Sequence, residues 1–164
     1  MEAKKCEELL HLIEKNSRYT PKDLAAMLGL DVQDVEDEIK RLEREGVICG
    51  YHALIDWDKT DDEKISALVE LKVTPQRGEG FDKIAEKIYR YPEVESLFLM
   101  SGGYDFTVIL KKATMKEIAN FVSSRLAVIE EVQSTATHVV LVRYKDHGIQ
   151  FAEAKKDFRM LVTP

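Results

Sequence analysis

The spacing of apolar residues changes once along this chain, near Gly46, and that change constrains the fold more than any other feature. Before it, apolar side chains recur at helical intervals: Cys6, Leu9, Leu10 and Ile13 fall at i, i+3, i+4 and i+7, and Val35, Ile39 and Leu42 repeat the stripe. After it, apolar residues alternate, as in Ala67, Val69, Leu71 and Val73, which share one face of a strand. The chain is therefore read as α+β, with an all-helical first segment and a mixed second one.

Stop and start signals divide the first segment into three helices. The first ends near Asn16. Thr20 stands before Pro21 with Asp23 three places on, so a hydroxyl cap precedes a proline at the first helical position, where its missing N–H costs nothing. This second helix runs to Leu28 and stops at Gly29. Asp31 caps a third, which Gly46 ends. The β-rich run Val47 to Ile55, broken by Gly50, predicts a short hairpin or wing. The charged stretch 56–64 lacks an apolar period and reads as a linker.

The second segment reads strand, helix, strand, strand, helix, strand. Thr74-Pro75 ends the first strand, because proline cannot continue a ladder. Phe81, Ile84, Ala85, Ile88 and Tyr89 give a helix that closes before Tyr91-Pro92. Val94 to Met100 and Tyr104 to Leu110 flank the turn Ser101-Gly102-Gly103. Met115, Ile118, Ala119, Val122 and Leu126 form a second helix, and Val132 to Tyr144 a last strand. The order βαββαβ is that of a ferredoxin-like antiparallel sheet with both helices on one face. The expected domains are 1–55, 65–147 and a helical tail over 148–164, with the linker at 56–64.

Composition excludes several classes of function. At 164 residues the chain is too short for a large barrel enzyme. No stretch approaches the roughly 18 apolar residues of a membrane helix, and the start lacks a signal-peptide core, so a cytoplasmic protein without membrane contact is expected. Cys6 and Cys49 make neither a disulfide framework nor a thiolate cage and read as small buried residues. His11, His52, His138 and His147 are scattered without metal-ligand spacing, and neither a phosphate loop nor a nucleophile elbow occurs. No catalytic residue, metal or cofactor is expected.

Three short helices with a glycine-marked turn, followed by a hairpin, have the geometry of a winged helix-turn-helix, which lays its third helix in the major groove of double-stranded DNA. Spacing alone also suits a small bundle that packs against a partner. The net charge of −6 is not that of a general nucleic-acid binder, and residues 1–50 are the more acidic part.

Particular residues decide the matter. The run Leu24 to Asp31, then Val35, then Ile39-Lys40-Arg41-Leu42-Glu43-Arg44-Glu45-Gly46-Val47-Ile48 and Gly50-Tyr51, resembles the helix-turn-helix of the Lrp/AsnC (leucine-responsive, or feast/famine) regulators. Pro92-Glu93-Val94, Gly102-Gly103-Tyr104-Asp105 and the stretch Val132 to Thr137 are similar to that family's effector domain, in the same order. The resemblance spans residues 6–145. It implies a transcriptional regulator whose first domain binds DNA and whose second dimerises, assembles further into an octamer and binds an amino acid.

The family usually carries Ser and Arg along the third helix, where this chain has Asp34, Glu36, Asp37 and Glu38. Carboxylates repel phosphate, although acids in a first helical turn also stabilise the helix. The candidate DNA contacts are Gln33, able to read adenine, and Lys40, Arg41, Arg44, Arg18 and Lys22, placed for phosphate, with Lys4 and Lys5 as further cations. An oligomer presenting several weak modules still binds tightly.

Gly102 and Gly103 let backbone approach a ligand closely, and the Asp105 carboxylate suits an ammonium group, although the same residues also make an ordinary tight hairpin. The resemblance favours Gly102, Gly103, Tyr104 and Asp105 as effector-binding. Ser134, Thr135 and Thr137 are candidates for the effector carboxylate, and Leu97, Leu99 and Met100 for an apolar wall. With both helices on one side, the other sheet face exposes Leu68 and Phe98, which predicts a homodimer by face-to-face packing. Two alternatives share this outline: a DNA-independent amino-acid sensor and an enzyme resembling the sirohaem decarboxylases.

Overall fold

The computed structural model describes residues 2–61, 63–75 and 80–151. The chain divides into two compact units, Met1–Ile55 and Asp56–Pro164.

The first unit holds α1 (Ala3–Lys15), α2 (Pro21–Leu28) and α3 (Val32–Arg44). At the start of α2 the Thr20 hydroxyl accepts the Asp23 N–H at 3.2 Å while Asp23 accepts the Thr20 N–H at 2.9 Å, a reciprocal capping box. Gly29 ends α2 with φ +66°, a left-handed conformation that a side chain resists. Leu9, Ile13, Leu24, Ala25, Leu28, Val35 and Leu42 form the buried core, as the helical stripes require.

Two expectations fail after α3. Residues 47–56 carry no strand, so the hairpin is absent here: the Val47 and Ile48 N–H groups both turn back onto the Leu42 carbonyl, at 2.9 and 3.2 Å, and are consumed in ending the helix. Cys49 is exposed and only Cys6 is half-buried, since this extended segment has no sheet to cover it.

The second unit begins with a single 3₁₀ turn, Trp57–Lys59, inside the expected linker. Then come β1 (Ile65–Val73), α4 (Gly80–Tyr89), β2 (Val94–Leu99), β3 (Phe106–Ala113), α5 (Met115–Phe121) and β4 (Val132–Val139). The sheet order is β2-β3-β1-β4 and every pairing is antiparallel, the ferredoxin-like arrangement. Ala67, Val69, Leu71 and Val73 meet Phe106, Val108 and Leu110 on the helix-covered face, beneath Ile84, Ile88, Ile118, Phe121 and Leu126. Helix α5 passes directly into a π-turn over Val122–Leu126, closed by the Ala127 N–H on the Val122 carbonyl at 2.8 Å.

The last strand is shorter than the apolar run that suggested it. β4 stops at Val139, near the start of β1: Ala67 faces Val139, and the Val140 N–H takes the Ser66 carbonyl as a final bond. The expected helical tail is also corrected at its start. Ile149–Gln150 (β6) pairs with Lys145–Asp146 (β5) across His147 and Gly148, both at positive φ (43° and 79°), a two-residue hairpin turn. Residues 152–164 of that tail lie outside the described residues.

Candidate nucleic-acid interface and effector turn

The Asp31 carboxylate caps α3 by accepting the Gln33 N–H at 2.8 Å. Along α3, Val35, Glu38 and Leu42 are buried, so the opposite side of the helix is its most outward line. That line holds Gln33, Asp37, Lys40 and Arg44, all exposed and spaced i, i+4, i+7 and i+11. Three of the four α3 residues picked for DNA contact therefore share one stripe, with an acid between them. The Gln33 side-chain amide donates to Asp37 at 3.1 Å, and Lys40 lies 3.9 Å from Asp37 and 3.7 Å from Glu36.

Arg41 is the exception. Its guanidinium donates to both oxygens of Glu38, at 2.6 and 3.1 Å, and pairs with Glu45 as well. Glu38, counted among the exposed acids from sequence, is only 7% exposed. The two hydrogen bonds from Arg41 hold its carboxyl down at about 2 against the cost of burial. The pairing takes one acid and one base out of the α3 charge balance together, so the acid excess of the helix is unchanged. Nothing in the helical period signalled this, because a Glu at a core-facing position is indistinguishable from a surface Glu until its partner is placed.

Arg18 and Lys22 are exposed at the connection into α2 and in its first turn. Lys5 is turned inward. Its ammonium donates to the Leu28 carbonyl at 2.8 Å and so satisfies the end of α2, a helix-stabilising use in place of a phosphate contact.

In the second unit, residues 100–105 join β2 to β3, closed by the Met100 N–H on the Asp105 carbonyl at 2.8 Å. Gly102 sits at φ +150°. The Asp105 carboxylate accepts the Val73 N–H at 2.9 Å and the Lys72 ammonium at 3.1 Å, while the Asp105 N–H donates to the Leu71 carbonyl. The Val73 N–H, followed by Lys72, holds this carboxyl below the usual carboxylate range. Lys72 is the residue that sequence reading passed over. With Glu70 it places charge at successive open-face positions of β1, and that was the available signal.

Register sorts the β4 candidates. Ser134 pairs with Lys72, so it belongs to the open face beside the Lys72–Asp105 pair. Thr135 pairs with Leu71 and Thr137 with Val69, both on the helix-covered side. The three hydroxyls do not converge. Leu97 packs against the core, whereas Leu99 and Met100 are about half exposed next to the turn.

The open face carries Leu68, Glu70 and Lys72 of β1, Phe98 of β2, Thr107 and Ile109 of β3, and Ser134, Ala136 and His138 of β4. Phe98 is 49% exposed, and His138 approaches Glu70 at 3.1 Å. Among the described residues no three His, Cys, Asp or Glu side chains converge for a metal ion, and no helix is long and apolar enough to cross a membrane.

Comparison with known proteins agrees with this geometry. Residues 66–149 match the Lrp/AsnC ligand binding domain, and residues 7–48 a winged helix-turn-helix DNA-binding domain. The chain belongs to the Lrp/AsnC family. It is 44% identical over 158 residues to the HTH-type transcriptional regulator YugG of Bacillus subtilis (strain 168), covering 96% of this chain and 95% of the relative. It is 27% identical to the leucine-responsive regulatory protein of Haemophilus influenzae, covering 84% and 82%. A transcriptional regulator of Neisseria meningitidis, NMB0573 in complex with L-Met, shares the fold with a TM-score of 0.71 at 22% identity, covering 89% of this chain and 94% of that one. This Lrp/AsnC chain is thus a transcriptional regulator that joins a DNA-binding helix-turn-helix to a ligand-binding domain.

Proposed function

We propose that the chain binds duplex DNA through the outward line of α3 and that an amino acid seated at the 100–105 turn changes that binding. Gln33 reads an adenine edge while Lys40 and Arg44 meet phosphate, with Arg18 and Lys22 as flanking contacts. Arg41 is spent on Glu38 and Glu45 and contributes least.

The observation that carries the effector reading is the pairing of opposite charges at the turn. Asp105 and Lys72 stand 3.1 Å apart with Gly102, Gly103, Tyr104 and Ser134 around them. A zwitterion offers the complement of each charge: its ammonium to the Asp105 carboxylate, its carboxylate to the Lys72 ammonium and the Ser134 hydroxyl. Thr135 and Thr137 are outside this reading because they belong to the other sheet face.

The exposed Phe98, with Leu68 and Ile109 beside it, favours a homodimer formed by packing two open faces together, and pairs of dimers assembling further toward an octamer. Several weak DNA modules then act at high effective concentration, which offsets the acid on α3. The proposed role is regulatory and not catalytic, in the compartment that holds the chromosome. The test is retardation of upstream DNA from the chain's own chromosome at low salt, with each of the twenty amino acids added. Retardation shifted by at least one amino acid supports the reading. Retardation indifferent to all twenty removes the effector, and none at low salt removes the DNA.

A further inference from the structure

A second cleft lies at the other end of the β2–β3 hairpin from the effector turn. Lys111 lies six residue steps along the chain from Asp105, or about 20 Å at ~3.3 Å per residue. This cleft has a volume of about 500 Å³. Four cations line it, Lys64, Lys111, Lys112 and Arg125, against two carboxylates, Glu93 and Glu117, in a chain whose net charge is −6. Positive charge is concentrated here against the trend of the molecule.

Local irregularities gather at this cleft. In the β1–β3 ladder Ile65 faces Ala113 and Ala67 faces Leu110, so Ser66 alone opposes Lys111 and Lys112. Such a two-against-one bulge breaks the alternation that sends consecutive side chains to opposite faces, and here both lysines line one cleft. On the facing wall Arg125 rises from the π-turn Val122–Leu126, another departure that costs regular hydrogen bonding and recurs at functional sites.

Two of the four charges are not used up internally, while Lys64 acts on the Glu117 carboxylate of the same cleft. Neither the Lys111 ammonium nor the Arg125 guanidinium has an acidic partner among the described residues. Lys112 is held in place, 5.9 Å from the centre of the Trp57 ring and 3.9 Å from Asp58. One of the two acids is already engaged, since Glu117 turns to Thr114 and accepts its N–H and its hydroxyl at 2.8 Å each. Phe121, Pro92 and Ala113 supply an apolar floor.

We infer that this cleft binds a small polyanion, a molecule carrying two or more negative charges on phosphate or carboxylate groups over a compact body. The Arg125 fork takes two oxygens of one group, and the twin lysines neutralise the rest. The site is separate from the effector turn and adds a second chemical input to the regulator.

Titration calorimetry on the full chain, with inorganic pyrophosphate and with citrate in buffers of matched ionic strength, tests this. Saturable binding of one or both is expected, and the pair tells phosphate from carboxylate. Lys111→Ala with Arg125→Ala should weaken it at least tenfold, and Lys111→Arg with Arg125→Lys should largely restore it, with the melting temperature unchanged throughout. The absence of saturable binding by either anion overturns the inference, as does unchanged affinity in the alanine pair. So does an alanine pair that keeps the anions but loses DNA affinity and salt dependence, which assigns the cleft to the duplex backbone.

Discussion

In α3 the carboxylate of Glu38, tucked beneath the helix, clasps the guanidinium of Arg41 through two hydrogen bonds of 2.6 and 3.1 Å. One residue expected to repel DNA thereby neutralises another expected to attract it. Glu38→Gln should cost about 1–2 kcal/mol, the loss of a charged hydrogen-bond pair tempered by the half-exposed Arg41. The folded carboxyl sits at about 2, below its unfolded value near ~4.3, so its contribution is complete above pH ~4.3 and is lost as pH falls toward about 2. Urea unfolding across pH 2 to 7 checks this. A Gln variant whose acid limb matches the wild type would refute it.

Lys40 and Arg44 share the outward line of α3, and Arg41 does not. Replacing Lys40 and Arg44 by Ala should lower DNA affinity and reduce the slope of log affinity against log salt by up to ~2. Arg41→Ala should leave that slope nearly unchanged. Salt titrations of fluorescence anisotropy distinguish the two, and equal loss of slope in both variants counts against the assignment.

Asp105→Asn keeps the shape that accepts the Val73 N–H but removes the charge that faces an ammonium. Amino-acid stabilisation in a thermal-shift screen should disappear while the sedimentation coefficient stays the same. Because Val73 and Lys72 depress the Asp105 carboxyl, wild-type effector binding should persist below pH ~3.9 and fade only as pH falls through the lowered value. A response retained by the Asn variant shows that the turn does not hold the effector.

Phe98 leaves the open face half exposed. Phe98→Glu should shift the protein to monomers in sedimentation velocity without unfolding it, since Phe98 lies outside the buried core. An intact dimer would place the interface elsewhere.

Leu71 is wholly buried under α4 and α5. Leu71→Ala should destabilise the second unit by about 2–5 kcal/mol, measured by denaturant unfolding.

Periodicity and capping made most of this fold legible. The Thr20–Asp23 capping box and the Gly29 stop were readable because each acts within a single turn of chain. The alternation of Ala67, Val69, Leu71 and Val73 named the covered face because burial on one side of a sheet has no other solution. What escaped depended on partners distant in sequence. β4 ended at Val139, where its pairing with β1 reached Ala67, although the apolar run continued to Tyr144. Lys72 joined the 100–105 turn through Asp105, 33 residues away. Ser134 parted from Thr135 and Thr137 once register gave each a face. The run at 47–55 had strand composition, but composition supplies no neighbour to pair with.

That stretch has one further consequence. Residues 52–55, beyond the Val47 and Ile48 bonds that end α3, carry no strand, so inserting or deleting a residue there shifts neither the phase of a helix nor the register of a ladder. A change in the length of this tether alters only the span of chain that links the two units, while the α3 stripe and the sheet pairing keep their own residues.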